Sequence, residues 1–415
     1  MAARPPGRAQ HKKIREATPI SRVAPARSGG VVITQRGVER LKNGHVWVYR
    51  SDIVFAEGVA PGSVVAISDE RGRTFGSALY SSSSQIAVRM ISSGPVADFP
   101  ALLRERVRQA IAYREPLVHD TDAYRVIFSE ADFLPGLIVD RYNEILSLQI
   151  LTQAMDTEPV RTALLSELSE QMQPAAIAER VDSHIRELEQ LQPRASGLLC
   201  GERTSTIFSM NGVRLHYDAG EGQKTGAFLD QRENYAAAAQ YAQGEALDVF
   251  CYQGAFALHL AQRCGKVTGV DTSRPALEVA DRNAVLNQRE AEWMEANAFD
   301  LLKDYSVAGR QYDTIVLDPP AFAKTRKNLE TAMRGYKELN LRALKMLRRG
   351  GVLVTCSCSY HVSEHEFLQV VAEAARDARR TLRLLEKRGQ AKDHPMVPSI
   401  PETGYLKCLV LAVSY

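Results

Sequence analysis

The chain is 415 residues long, 45% hydrophobic and 24% charged, with a formal net charge of +3. That length suits two or three domains, each burying its own core, and the hydrophobic and charged fractions are those of an ordinary soluble globular protein. No apolar stretch is long enough to span a bilayer and no charged-then-apolar leader is visible, so a cytoplasmic protein with no membrane contact is expected.

In chain order, Met1–Gly30 is rich in Arg, Pro and Ala and predicts a disordered basic arm. Basic charge is concentrated in the first fifty residues, which suits a nucleic-acid partner met by the N-terminal part; a solvated tail explains residues 1–28 equally well. Short β-like runs follow at Val31–Ile33, His45–Tyr49, Ser63–Ile67 and Gln85–Arg89, punctuated by Gly62, Gly72 and Gly76. They predict a small β-barrel-like domain over 31–95. Helical runs at Ala101–Tyr113 and Thr157–Met172 alternate with strand candidates at Gly136–Asp140, Ile145–Ile150 and Ala175–Arg180. They predict a mixed α+β middle domain over 96–200, closed by the Gly/Pro-flanked stretch Gln190–Gly201.

From Gly244 onward strands alternate with helices, the signature of a parallel doubly wound sheet, which sets the fold class of 201–415 as α/β, Rossmann-like. Strands are expected at Ala246–Tyr252, Lys266–Asp271, Glu292–Ala296, Thr314–Asp318 and Val352–Ser357, and helices at Arg274–Asn287 and Glu330–Leu347. Two strand-like runs, Thr381–Lys387 and Lys407–Ser414, have no helix between them. A parallel sheet ending in such a hairpin is the layout of class I S-adenosylmethionine-dependent methyltransferases rather than of nicotinamide-binding dehydrogenases.

The strand ends carry the chemistry, as ligands in open α/β sheets bind there. Asp248-Val249-Phe250-Cys251-Tyr252-Gln253-Gly254 joins strand to helix through one glycine, where a dinucleotide fold needs several. A cofactor without phosphates needs only Gly254, which points to S-adenosylmethionine. Asp271 ends the next strand, where a carboxylate can accept from both ribose hydroxyls, and Asn297-Ala298-Phe299 is placed to meet adenine. The alternative for Asp271 is a helix cap. Asp318-Pro319-Pro320 holds a carboxylate at the edge of the fourth strand.

Val352–Ser359 places Cys356 and Cys358 at the same edge. Carbon 5 of cytosine takes a methyl only after a thiolate adds to carbon 6, which requires a Cys of lowered pKa and an acid at N3. Cys358, nearer the edge, is the expected nucleophile, Cys356 the packing residue and Asp318 the acid; amine methylation would need no thiol. In a strand the two thiols share a face, so alternation does not separate them. Cys251 is expected to pack. The six cysteines form no Cys-x-x-Cys pair and no His cluster has zinc-ligand spacing, so no metal is expected. Lys224, Phe228, Asp230, Gln231 and Arg232 lie in a glycine-flanked stretch that suits a lid over cofactor or substrate, with Asp230 capping a helix as the alternative; Lys324 is a further substrate-side cation.

These residues together look familiar. Gln223-Lys224-Thr225-Gly226 with Phe228–Arg232, Asp248–Tyr252, Asp318–Phe322, Ser357-Cys358-Ser359, Asp393-His394-Pro395, Tyr405-Leu406-Lys407 and Gly44–Tyr49 resemble the bacterial 23S ribosomal RNA cytosine-5 methyltransferases that join a PUA domain to a Rossmann-like catalytic domain. The resemblance covers about residues 31–415. It implies S-adenosylmethionine as cofactor, a cytosine of 23S rRNA or of a large-subunit precursor as target, and Cys358 as nucleophile; a homodimer is a separate expectation. Two positions depart from pattern: Ala321 stands where another branch carries a second Cys, leaving the base for carbon 5 unnamed, and Asn297 stands where an Asp often holds adenine. A guanine methyltransferase and a non-catalytic RNA-binding assembly factor are the competing readings.

Overall fold

The computed structural model describes residues 30–220, 227–323 and 325–414. The expectations for Lys224, Lys324 and the basic arm through residue 29 lie outside the described residues.

The first sheet has six strands: β1 Gly30–Ile33, β2 Trp47–Tyr49, β3 Ile53–Phe55, β4 Val64–Asp69, β5 Thr74–Tyr80 and β6 Ile86–Ser92, in the order β2-β6-β5-β4-β1-β3. Helix α1 (Gln35–Lys42) follows β1, capped by the Thr34 hydroxyl accepting from Gly37 N–H. Val31, Ile33, Val48, Val65, Ile67 and Val88 fill its core.

Helix α2 (Phe99–Arg114) starts where the Asp98 carboxylate accepts from the Ala101 N–H, with Pro100 in the first turn. The second sheet runs β11-β10-β9-β8-β7, built from β7 Ala123–Phe128, β8 Leu137–Tyr142, β9 Ile145–Ile150, β10 Ala176–Glu179 and β11 Gly197–Gly201. Helices α3 (Glu158–Met172) and α4 (Ser183–Leu188) complete it. A hairpin then forms from β12 Ser205–Met210 and β13 Val213–Asp218. Its turn is Asn211-Gly212, both at positive φ (48° and 79°), the pairing that matches strand twist in a two-residue loop.

The last sheet follows helix α5 (Arg232–Tyr241). Its parallel strands are β14 Glu245–Val249, β15 Lys266–Asp271, β16 Glu292–Glu295, β17 Tyr312–Leu317 and β18 Leu347–Ser357, and it closes with antiparallel β19 Leu382–Arg388 and β20 Lys407–Val413. The order is β16-β15-β14-β17-β18-β20-β19, so the chain reverses direction across the sheet between β14 and β17. That switch point opens a crevice at the carboxyl ends of those strands. Helices α6 (Ala255–Leu260), α7 (Arg274–Leu286), α8 (Ala298–Val307), α9 (Leu329–Met346) and α10 (Glu364–Asp377) cover the two faces over separate apolar clusters. A Ser363/Glu366 capping box sets the start of α10.

The three parts are locked together by buried polar contacts. Arg232, 2% exposed, meets Asp393 at 3.1 Å; the Asp393 carboxylate also accepts from the Arg125 N–H at 2.8 Å. Burial pushes the Asp393 carboxyl upward, but His394 and Arg232 outweigh it and hold the group down to about 2. The Trp47 indole donates to Glu130 at 2.9 Å and His45 meets Glu402 at 3.0 Å, tying the first sheet to both others. Among the described residues no helix is long and apolar enough to cross a membrane.

Candidate active site

The loop after β14 is under strain that its surroundings impose. Phe250 (φ 69°) and Tyr252 (φ 50°) both sit in the left-handed region, where a residue with a Cβ costs about 1 kcal/mol or more. The N–H groups of Phe250 and Cys251 converge on the Val270 carbonyl at 2.8 and 2.9 Å, and the Tyr252 N–H reaches Asp271 at 2.9 Å. These bonds pull the loop across the end of β15. Sequence reasoning extends the strand to Tyr252; it ends at Val249 because the chain turns here to enter α6.

Asp248 is fully buried, and one of its oxygens accepts from the Ala257 N–H in the first turn of α6 at 2.9 Å. It sets the pose of the loop. Gly254 (φ 82°) begins the helix so close to β16 that a Cβ would lie 2.6 Å from the Trp293 ring. Gly254→Ala is expected to displace loop or indole and weaken cofactor binding about tenfold or more, measured by calorimetric titration of S-adenosylmethionine.

Asp271 lies at the end of β15 with its carboxylate oriented by two backbone donors, Tyr252 and Ser273, at 2.9 Å each. A carboxylate oxygen has a further lone pair beyond each of these, so hydroxyl donors can still be accepted. Ser273, rather than Asp271, caps α7. Asn297 departs from expectation. Its side-chain oxygen caps α8 by accepting from Phe299 and Asp300, so the acceptor expected for adenine is already engaged and the Asn297 amide group left to meet a ligand is a donor. Ala298 opens that helix with its N–H in the first turn, where helix donors face outward.

Ala227, Phe228, Phe250, Tyr252, Gln253 and Asp318 line one cavity at the switch point. Two buried acceptors, Asp248 Oδ1 and Gln253 Oε1, have no hydrogen-bond partner among the described residues. The acceptor oxygens of Asp248, Gln253 and Asp271 suit a ligand carrying a sulfonium and an ammonium and offer no donor to a pyrophosphate.

Beyond β17 stands the second half of the site. Asp318 accepts a hydrogen bond from Gln231 Nε2 at 2.9 Å; burial, with the charge of Asp230 added, pushes its carboxyl up to about 7. Cys358 is half-buried one residue past the end of β18, its sulfur 3.8 Å from the Pro319 carbonyl of the Asp318 loop. Cys356 is fully buried opposite Cys408. Because the strand ends at Ser357, alternation does not govern Cys358, and its turn is set instead by the flanking serines. Ser357 Oγ donates to the Tyr336 hydroxyl at 2.9 Å, Ser359 Oγ lies 3.0 Å from that hydroxyl, and Ser359 Oγ also accepts from the Ala323 N–H at 3.1 Å.

The expectation of a lowered thiol pKa is not met. Burial, then the charges of Asp318 and Asp230, push the Cys358 thiol up to about 12, with Lys407 pulling the other way. Sequence reasoning gave Lys407 no role. Its ammonium donates to the carbonyls of Ser359 (2.6 Å) and Tyr405 (2.8 Å), and burial lowers it to about 8. Its visible signals are a lysine opening an otherwise apolar last strand and its place in the Tyr405-Leu406-Lys407 stretch.

The expected lid divides. Phe228 is 40% exposed and packs against Tyr252 with ring centroids 5.3 Å apart. Gln231 and Arg232 are buried, so neither is a lid residue: Gln231 holds Asp318, and Arg232 pairs with Asp393. Asp230 caps no helix; its Oδ2 accepts from the Tyr405 hydroxyl at 2.6 Å.

A family model described as a PUA-like domain matches residues 31–93, and one described as S-adenosylmethionine-dependent methyltransferase matches residues 134–412. "Ribosomal RNA large subunit methyltransferase I" of Shewanella denitrificans is 39% identical over 393 residues, covering 91% of this chain and 98% of that protein. The protein of the same name from Yersinia pseudotuberculosis is 36% identical over 389 residues, covering 91% and 97%. In structure, a putative methyltransferase complexed with SAH superposes with a TM-score of 0.80 at 18% identity over 92% of this chain and all of the other. A putative SAM-dependent methyltransferase from Streptococcus mutans does so at 0.78 with the same identity and coverage, and both likenesses are of fold. S-adenosylmethionine is thus the cofactor, and the chain belongs to the S-adenosylmethionine-dependent methyltransferase family, together with the proteins named ribosomal RNA large subunit methyltransferase I.

Proposed function

We propose that the protein methylates carbon 5 of a cytosine in large-subunit ribosomal RNA through a covalent Cys358–carbon 6 adduct. The observation that carries this reading is a half-buried thiol, Cys358, beside the Asp318-Pro319 loop, with Asp318 poised near neutrality. The relatives' names support the RNA, and the PUA-like domain supports a nucleic-acid partner. When bound, S-adenosylmethionine supplies an electrophilic methyl group. Asp271, Ala298 and Asn297 would hold its adenosine end, and the Phe250–Gly254 loop with Gln253 its amino-acid end.

The chain's own residues then divide the work. Asp318, about half protonated near pH 7 and more so below it, donates to N3 of the base in its acid form; in that form it carries no charge, so the largest like-charge obstacle to ionising Cys358 is gone. Lys407 favours the thiolate through its positive charge. Gln231 keeps Asp318 aimed. The thiolate adds to carbon 6, carbon 5 becomes nucleophilic, and proton loss from carbon 5 expels the sulfur.

Base-resolution mapping of 5-methylcytosine in ribosomal RNA from cells with and without the protein tests this. One large-subunit cytosine should lose its methyl group almost completely in the deleted strain. An unchanged cytosine map, with a changed guanine or uracil, would reject the reading.

A further inference from the structure

Methylating carbon 5 through an adduct leaves a proton there that must depart before the enzyme is freed. Ala321 offers no second thiol near the proline loop, and Asp318 is engaged as an acid. We propose that Asp230, clamped by the Tyr405 hydroxyl, is the base that removes this proton; the proposal rests on the cytosine-5 reading above.

Two hydrogen-bonded bridges bracket Asp230 between the reacting groups. On one side its neighbour Gln231 donates to Asp318 at 2.9 Å. On the other, Tyr405 donates to Asp230 Oδ2 at 2.6 Å, and the Tyr405 carbonyl shares the Lys407 ammonium with the carbonyl of Ser359, the residue after Cys358. The Asp230 backbone is pinned as well, its carbonyl accepting from the Ala391 N–H at 2.8 Å. The charge of Asp230 acts on both Asp318 and Cys358, as expected of a carboxylate close to both. Tyr405 is pushed well above its ordinary value by burial and by Asp230, so it remains a donor at neutral pH.

The step balances. Asp230 Oδ1 takes the carbon-5 proton, and the carbon–hydrogen electron pair becomes the carbon 5–carbon 6 double bond. The carbon 6–sulfur bond breaks with its pair on Cys358, beside the Lys407 ammonium. Asp230 returns its proton to water once the product leaves. No oxidant or metal is required.

The test uses the full chain and an rRNA transcript containing [5-³H]cytidine, with ¹⁴C-labelled S-adenosylmethionine. Asp230→Asn should transfer about one methyl group per enzyme, release tritium at least ~100-fold more slowly, and leave an SDS-stable protein–RNA complex. The complex should vanish when Cys358→Ala is added. Tritium release in step with methyl transfer, whether both are normal or both are slowed, would overturn the assignment and leave Asp230 a positioning residue. Should Asp230→Asn not fold, Tyr405→Phe decides: it keeps the carboxylate, and only a base role predicts tritium release about tenfold slower than methyl transfer. Normal turnover by Cys358→Ala alone would instead sink the underlying cytosine-5 reading.

Discussion

Cys358→Ala is expected to lower methyl transfer by 10⁴-fold or more, on the order seen when a covalent nucleophile is removed from other enzymes. The residue is half-buried past the end of β18, outside the apolar core clusters, so its loss leaves core packing intact. Thermal stabilisation by S-adenosylmethionine should therefore persist. Cys356→Ala gives the opposite pattern. That thiol is fully buried opposite Cys408, and truncation should cost about 1 kcal/mol of stability while turnover survives. Methyl-group incorporation into rRNA and melting curves read the two effects separately. Near-normal turnover by Cys358→Ala would mean that no thiol adduct forms, and methylation of a base amine would take its place.

Asp318→Asn should uncouple stability from activity. The folded carboxyl sits at about 7 against an ordinary 3.8, so between those values the folded protein binds more protons than the unfolded one. The contribution of this carboxyl to stability is thus greatest below about pH 4, falls as pH rises through the window, and carries the full charge penalty above 7; the shift corresponds to at most about 4 kcal/mol. The amide removes that penalty. The variant should unfold at higher denaturant than the parent at pH 8, by an amount that shrinks toward zero near pH 4. Its Cys358 should also alkylate several-fold faster at pH 8, as a neighbouring negative charge is lost, while methyl transfer collapses with the acid. Parallel stability curves across pH would refute the raised carboxyl and its part as an acid.

Some elements were plain in sequence and others were not, for identifiable reasons. Lys266–Asp271 is legible to the residue, because a buried parallel strand is an apolar run ended by a polar one. β5 and β7 were missed: Thr74–Tyr80 contains Gly76, and Ala123–Phe128 interrupts its apolar run with Arg125. Arg125 is paired with Asp140 across the sheet, a partner that only pairing supplies. The β12–β13 hairpin had a readable signal, Asn211-Gly212 between alternating runs. Arg232 reads as a lid residue in sequence because its partner, Asp393, is remote along the chain.

The sequence by itself determined the order of the domains, the absence of a dinucleotide fingerprint after Val249, and the grouping of Asp271, Asp318 and Cys358 at strand ends. Those follow from periodicity and from the rule that strand ends carry sites, both local properties. Only the tertiary structure decided how these groups titrate and what holds them. Burial and like charges raise Cys358 and Asp318, Asn297 spends its acceptor on a helix, and Gln231, Tyr405 and Lys407 enter from elements far along the chain. Desolvation and hydrogen-bond partners are set by what packs around a residue, and residue order does not encode that locally.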